Sequence, residues 1–168
     1  MANELIRTRP TSKEELGKIA GDGRLYAVLD ACDEAEVPEK IEEIGRDRAA
    51  CLYKGALDQD VQEVAPYLVS VDPAFLEWML VTFDTRPWGV FVVSTADLRT
   101  LRQHLRDLLV VEGVDGEPMY FFFYDPRVLP TFIDTCDAEE LEELYGPVMA
   151  YGVSIEGDDP AELIIREA

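Results

Sequence analysis

The sequence predicts an α/β fold: a mixed β-sheet with flanking helices in a single compact domain that ends in a short C-terminal strand pair. Three observations predict it. Apolar runs of strand length (RLYAVLDA at 24–31, APYLVSV at 65–71, VFVVS at 90–94, MYFFFY at 119–124) alternate with stretches of helical periodicity. VFVVS is a continuous apolar run, as expected of a strand covered on both faces, and MYFFFY reads the same way. Two strands, MAYGVSIEG and AELIIREA, then follow one another directly across DDP, which points to a mixed rather than a purely parallel sheet.

In order along the chain, residues 1–23 read as a peripheral segment. SKEELGKIA within it has helical character, because Ser12 and Glu15 stand at capping-box spacing, and GDG breaks it. RLYAVLDA is the first strand, ending near Asp30 and Cys32. CDEAEVPEKIEEIGRDR is acid-rich and carries a short solvated helix around Ile41 and Ile44. ACLYKGA (50–56) is a short strand and APYLVSV another. Asp72-Pro73 then supplies an N-cap and a first-turn proline for AFLEWMLVTF, which places Phe75, Leu76, Met79, Leu80 and Phe83 on one face and Trp78 off it. TRPWG turns the chain into VFVVS, and Ser94 is the expected cap of the next helix. That helix, TADLRTLRQHLRDLLVV, buries Leu98, Leu101, Leu105, Leu108 and Leu109 and carries Arg99, Arg102 and Arg106 on its flank. MYFFFY reads as a central strand, and Asp125-Pro126 repeats the strand-to-helix device of Asp72-Pro73, with Pro130 disturbing the helical turn that follows. DAEELEELYGP is a helix with Asp137 and Glu140 at capping-box spacing and Gly146 as its stop.

Charge narrows the function. With 35 Asp and Glu against 15 Lys and Arg, the formal net charge is −20. Such a surface repels nucleic-acid backbones and anionic lipid, so the expected partners are proteins, with a DNA mimic as a further class. No run is long enough for a membrane span, and MANELIRTRPTSKEEL lacks the apolar core of a secretory signal. Cys32, Cys51 and Cys136 are widely spaced and form no C-x-x-C pair, which reads as reduced thiols in a cytoplasm. No metal or cofactor spacing occurs: neither H-E-x-x-H, nor an EF-hand loop, nor a glycine-rich phosphate cradle. The single histidine, His104, has no G-x-S-x-G partner, and a small hydrolase built on it stands as the alternative to a binding protein.

Two arginine features bear on partners. Arg99, Arg102 and Arg106 form a positive stripe at spacings of three and four, to be met by carboxylates of this chain or of a partner. Trp78 joins them as an interface candidate, since Trp and Arg are the commonest interface anchors. Arg127 sits in a first helical turn, where the helix dipole disfavours a cation. Asp125 and Asp30 are its candidate carboxylates if their strands run side by side in parallel; a ligand or partner contact is the other reading.

LYAVLDA, CLYKGAL, APYLVSV, the tryptophan before MLVTF, PWGVFVVS, LRQHLRDLLVV, YFFFYDPRVLPTF and LYGPV occur in this order over residues 25–148. Together they resemble the adaptor or chaperone domain of bacterial type VI secretion systems. The strongest matches are Trp88-Gly89, His104-Leu105-Arg106 and Tyr124-Asp125-Pro126-Arg127. The resemblance implies a cytoplasmic, non-enzymatic protein that binds a toxic effector and helps load it onto the valine-glycine-repeat (VgrG-type) spike. It divides the chain into the peripheral segment 1–23, a core of 24–148, and a strand pair at 149–168 where relatives carry a variable second lobe.

Overall fold

The computed structural model describes residues 3–32, 34–55, 58–84 and 86–167. Among the described residues nine strands and seven helices follow one another: β1 (Ile6–Thr11), α1 (Lys13–Gly21), β2 (Leu25–Asp30), α2 (Glu36–Ile44), β3 (Ala49–Cys51), α3 (Gln59–Gln62), β4 (Pro66–Ser70), α4 (Pro73–Phe83), β5 (Gly89–Val93), α5 (Leu98–Leu108), β6 (Val110–Glu112), β7 (Pro118–Tyr120), α6 (Leu129–Thr135), α7 (Ala138–Tyr145), β8 (Ala150–Ser154) and β9 (Ala161–Arg166). Seven strands form one sheet in the order β1-β9-β8-β5-β2-β4-β3, and β6 and β7 make a separate hairpin.

Every pairing in the seven-stranded sheet is antiparallel, where a mixed sheet was expected. The reason lies in the crossovers. β4 and β5 run in the same direction, as their joining helix α4 requires, but they flank β2 instead of touching each other. The sheet is covered on both faces, which explains its continuous apolar strands. Alternation along each strand divides the core in two. Leu25, Ala27 and Leu29 of β2, with Phe91 and Val93 of β5, meet the helices α1, α2 and α4. Tyr26 and Val28, with Val90, Val92 and Tyr151, meet α5, α6 and α7.

The segments 6–21 and 150–166 are both built into this fold around the sheet. The N-terminal segment, expected at the periphery, supplies β1, paired along its length with β9, and α1, whose Leu16 and Ala20 lie in the core. The C-terminal strands, expected as an addition beyond residue 148, form an antiparallel hairpin, and β8 pairs with β5 inside the sheet.

Local caps follow the sequence closely. Asp72 accepts the Phe75 amide at 2.8 Å and Pro73 starts α4; Ser12 accepts the Glu15 amide at 3.1 Å. Asp137 and Glu140 close both halves of a capping box at 2.9 Å, and Gly146 ends α7. Such caps contribute about 1 kcal/mol each. Two expectations fail. Asp97, not Ser94, caps α5, accepting the Thr100 amide at 2.8 Å. Ser94 is fully buried and donates its hydroxyl to the Pro147 carbonyl at 2.7 Å, pinning the end of β5 to the approach to β8. Pro130 lies in the first turn of α6, where its missing amide costs nothing, so it starts that helix and does not disturb it.

Candidate protein-interaction surface

Helix α5 carries the arginines. Leu101 and Leu105 are buried, with Leu109 just beyond the helix, whereas Leu98 and Leu108 are half-buried at its edges. The three arginines diverge in role. Arg106 is half-buried and donates from Nη2 to the carbonyls of Cys51 at 2.9 Å and Tyr53 at 3.3 Å, so it clamps α5 onto the free edge of β3. A guanidinium across that edge also obstructs further strand pairing. Arg106 therefore belongs to the scaffold. Arg99 is exposed and Arg102 half-exposed. Among the described residues neither has a carboxylate within ion-pair distance, although eleven such pairs form elsewhere. Arg102 borders a groove of about 1300 Å³ along the β3 edge, shared with Ile41, Ala49, Tyr67 and Arg106.

The aromatic run 120–124 is not a central strand. Only Tyr120 belongs to a strand, the exposed β7. Beyond it the Phe121 amide still reaches the Leu109 carbonyl at 2.8 Å, but Asp125 turns back on Phe122 and ends the extension. Side chains alternate only as far as Phe123: Phe121 packs on Phe132 with ring centroids 4.5 Å apart, Phe122 faces solvent and Phe123 is buried, but Tyr124 is buried as well. The hydroxyls of Tyr53, Tyr120 and Tyr124 form a chain of 3.1 and 3.2 Å hydrogen bonds. Burial, first, pushes both the Tyr120 and Tyr124 phenols above their ordinary range, so both stay neutral.

Arg127 finds its carboxylate two residues away. Nε and Nη2 donate to the two oxygens of Asp125 at 3.0 and 2.9 Å, and the Arg127 amide adds a 2.8 Å bond. The pair is not buried as the parallel arrangement required: the Arg127 side chain is 75% exposed. The Arg127 hydrogen bonds hold the Asp125 carboxyl below its ordinary range, against the opposing effect of burial. Asp125-Pro126 thus makes an Asx-type turn, and α6 begins only at Leu129. Asp30 ends β2, accepting the Cys32 amide at 3.0 Å, while its own amide bonds the Trp88 carbonyl at 2.8 Å.

Trp88 is buried, donates from Nε1 to Ser154 at 3.0 Å, and links Phe83 to Phe91 in a chain of ring contacts. Gly89 beside it has φ +145°, and a Cβ there would lie 1.9 Å from the Val28 carbonyl oxygen, so only glycine lets β5 approach β2. His104 shares a 3.0 Å hydrogen bond with the Leu144 carbonyl at the end of α7. Trp78 is half-buried against Phe75 and Phe83, with the Lys40 ammonium 5.1 Å above its ring. Its packing is that of a covered core-edge residue.

Residues 25–143, more than half of the chain, match the family model described as a domain of unknown function, DUF4123. The chain belongs to the DUF4123 family. Comparison with curated proteins and with solved structures gives no match. The DUF4123 match runs from the start of β2 into α7 and takes in Trp88-Gly89, α5 and the aromatic run. It stops before β8 and β9 and begins after β1, so three strands of the sheet lie outside it. Among the described residues of this DUF4123 chain, no group of three or more His, Cys, Asp or Glu side chains is placed to hold a metal ion, and no helix is long and apolar enough to cross a membrane.

Sequence reasoning missed the β6–β7 hairpin and the part of Tyr53. Val110 and Val111 read as the end of a helix because leucine periodicity runs into them without a break, and Glu112 as the start of a turn. The available signal was EGVDGEP, a hairpin turn between two short apolar stretches.

Proposed function

We propose that this DUF4123 chain is a non-enzymatic adaptor of a type VI secretion system, binding a cognate effector and helping to load it onto a VgrG-type spike protein. The observation that supports it best is the outer face of α5. Arg99 and Arg102 form no ion pair among the described residues of a chain with 35 acids; the nearby Asp97 carboxylate is felt by Arg99 only at longer range. Exposed cations of this kind steer encounter with an acidic partner, and become anchors when its carboxylates cover them. The ordered sequence blocks shared with type VI adaptors supply the partner classes. Arg106 drops out of the binding set because its Nη2 is committed to the Cys51 and Tyr53 carbonyls, and Trp78 because it packs on Phe75 and Phe83 with Lys40 over its ring.

The test is binding of the purified chain to the effector and spike proteins encoded beside it. Charge reversal at Arg99 and Arg102 together is expected to leave the fold intact and to weaken one of the two complexes, with the on-rate reduced most at low salt. Unchanged kinetics with both proteins would remove the arginine face from the reading.

A further inference from the structure

The β6–β7 hairpin carries exposed apolar residues on both faces. Six of the twelve large apolar side chains that stand exposed among the described residues lie between 110 and 122: Val110, Val111, Val114, Met119, Tyr120 and Phe122. The register pairs Val110 with Tyr120 and Val111 with Met119. Strand alternation then puts Val110, Tyr120 and Phe122 on one side, the last two with rings 4.5 Å apart, and Val111 and Met119 on the other. Val114 at the tip is fully exposed. Apolar surface concentrated in this way marks an interaction site more often than scattered single residues do. The base of the hairpin is fixed: the Tyr120 hydroxyl bonds both Tyr53 and Tyr124, and the Phe121 amide bonds Leu109.

Charge identifies the occupant. From 107 to 126 the chain contains no Lys or Arg, and its acids are Asp107, Glu112, Asp115, Glu117 and Asp125. Glu112, Asp115 and Glu117 are exposed beside the apolar side chains. A second copy would bring the same acids and its own charge of −20 against them, which opposes self-association. Anionic lipid is opposed for the same reason.

We propose that the β6–β7 hairpin is a docking finger for an amphipathic segment of a different protein, one whose apolar stripe is flanked by Lys or Arg. The proposal goes beyond the type VI reading and does not depend on it, because its test needs neither effector nor spike. Two synthetic amphipathic helices of about 18 residues share one leucine stripe; one flanks it with lysines and the other with glutamates. Each is titrated into the isotope-labelled full chain and followed by amide chemical shifts. The lysine peptide is expected to shift amides of 110–124 and the glutamate peptide to leave them in place. Phe122→Ser and Met119→Ser, both exposed and so tolerated by the fold, should each weaken the lysine peptide about tenfold. Glu112→Lys with Asp115→Lys should exchange the preference for the glutamate peptide. Shifts spread over the acidic surface and indifferent to Phe122→Ser would overturn the proposal, as would equal binding of the two peptides. Concentration-dependent dimerisation in sedimentation that Phe122→Ser abolishes would assign the finger to a second copy instead.

Discussion

Replacing Gly146 by alanine tests the place of the lone histidine most sharply. Gly146 ends α7 at φ 48°, ψ −118°, a conformation that costs a side-chain-bearing residue about 1–3 kcal/mol. An added Cβ would also stand 2.5 Å from Cε1 and 2.7 Å from Nδ1 of His104. The ring can escape only by leaving the Leu144 carbonyl, a further loss of about 1 kcal/mol. Gly146→Ala should therefore destabilise the fold by about 3 kcal/mol. In a His104→Ala background the collision is gone, and the same substitution should cost about 2 kcal/mol, the backbone part alone. Urea denaturation of the four proteins in this double-mutant cycle measures both figures, with the slope against urea as a check on two-state behaviour. A Gly146→Ala loss below about 0.5 kcal/mol would refute the backbone argument. Equal losses in both backgrounds would mean that His104 does not constrain the end of α7.

Three further outcomes follow. Arg127→Ala should cost about 1 kcal/mol or less at neutral pH, because the guanidinium is largely exposed. The Asp125 carboxyl is depressed in the folded state, so its contribution is present above the unfolded carboxylate value near 4 and disappears as pH falls through the folded one; wild-type and variant urea midpoints should converge in acid, and a constant gap down to about pH 2 would assign the loss to something other than this pair. Cys32 is exposed, whereas Cys136 is buried with its thiol pushed up to about 11, chiefly by burial; native alkylation read by mass spectrometry should label Cys32 first and Cys136 last, and early labelling of Cys136 would contradict its placement. Arg106→Ala should destabilise by about 2 kcal/mol through its two lost carbonyl bonds, and a denaturation midpoint equal to wild type would return Arg106 to the set of free arginines.

The sequence carried most of the local structure and less of its arrangement. β2, β4 and β5 were legible because strands covered on both faces leave unbroken apolar runs. α4 and α7 were legible because their caps need particular side chains at particular spacings. Strand order was not, since β4 and β5 are joined by a helix yet separated by β2, and nothing local distinguishes that from direct pairing. The same limit hid the place of β8, whose partner β5 lies far back in the chain. YFFFY misled because an unbroken aromatic run reads as a strand covered on both faces, while among the described residues no neighbouring strand takes up the backbone beyond Tyr120. At the candidate surface, the Arg127–Asp125 pair could be read from spacing, but its exposure could not. Arg99, Arg102 and Arg106 looked equivalent on one stripe, and only the approach of β3 to α5 separates Arg106 from the other two.

The adaptor reading predicts that one chain holds two other proteins. The most direct measurement is the mass of the assembly formed when the purified chain is mixed with the effector and the spike protein encoded beside it, determined by light scattering on a sizing column. The account predicts one species containing all three, from which the effector dissociates when the adaptor is omitted. An effector–spike complex of the same stability without this chain, or no complex of this chain with either protein, would contradict it.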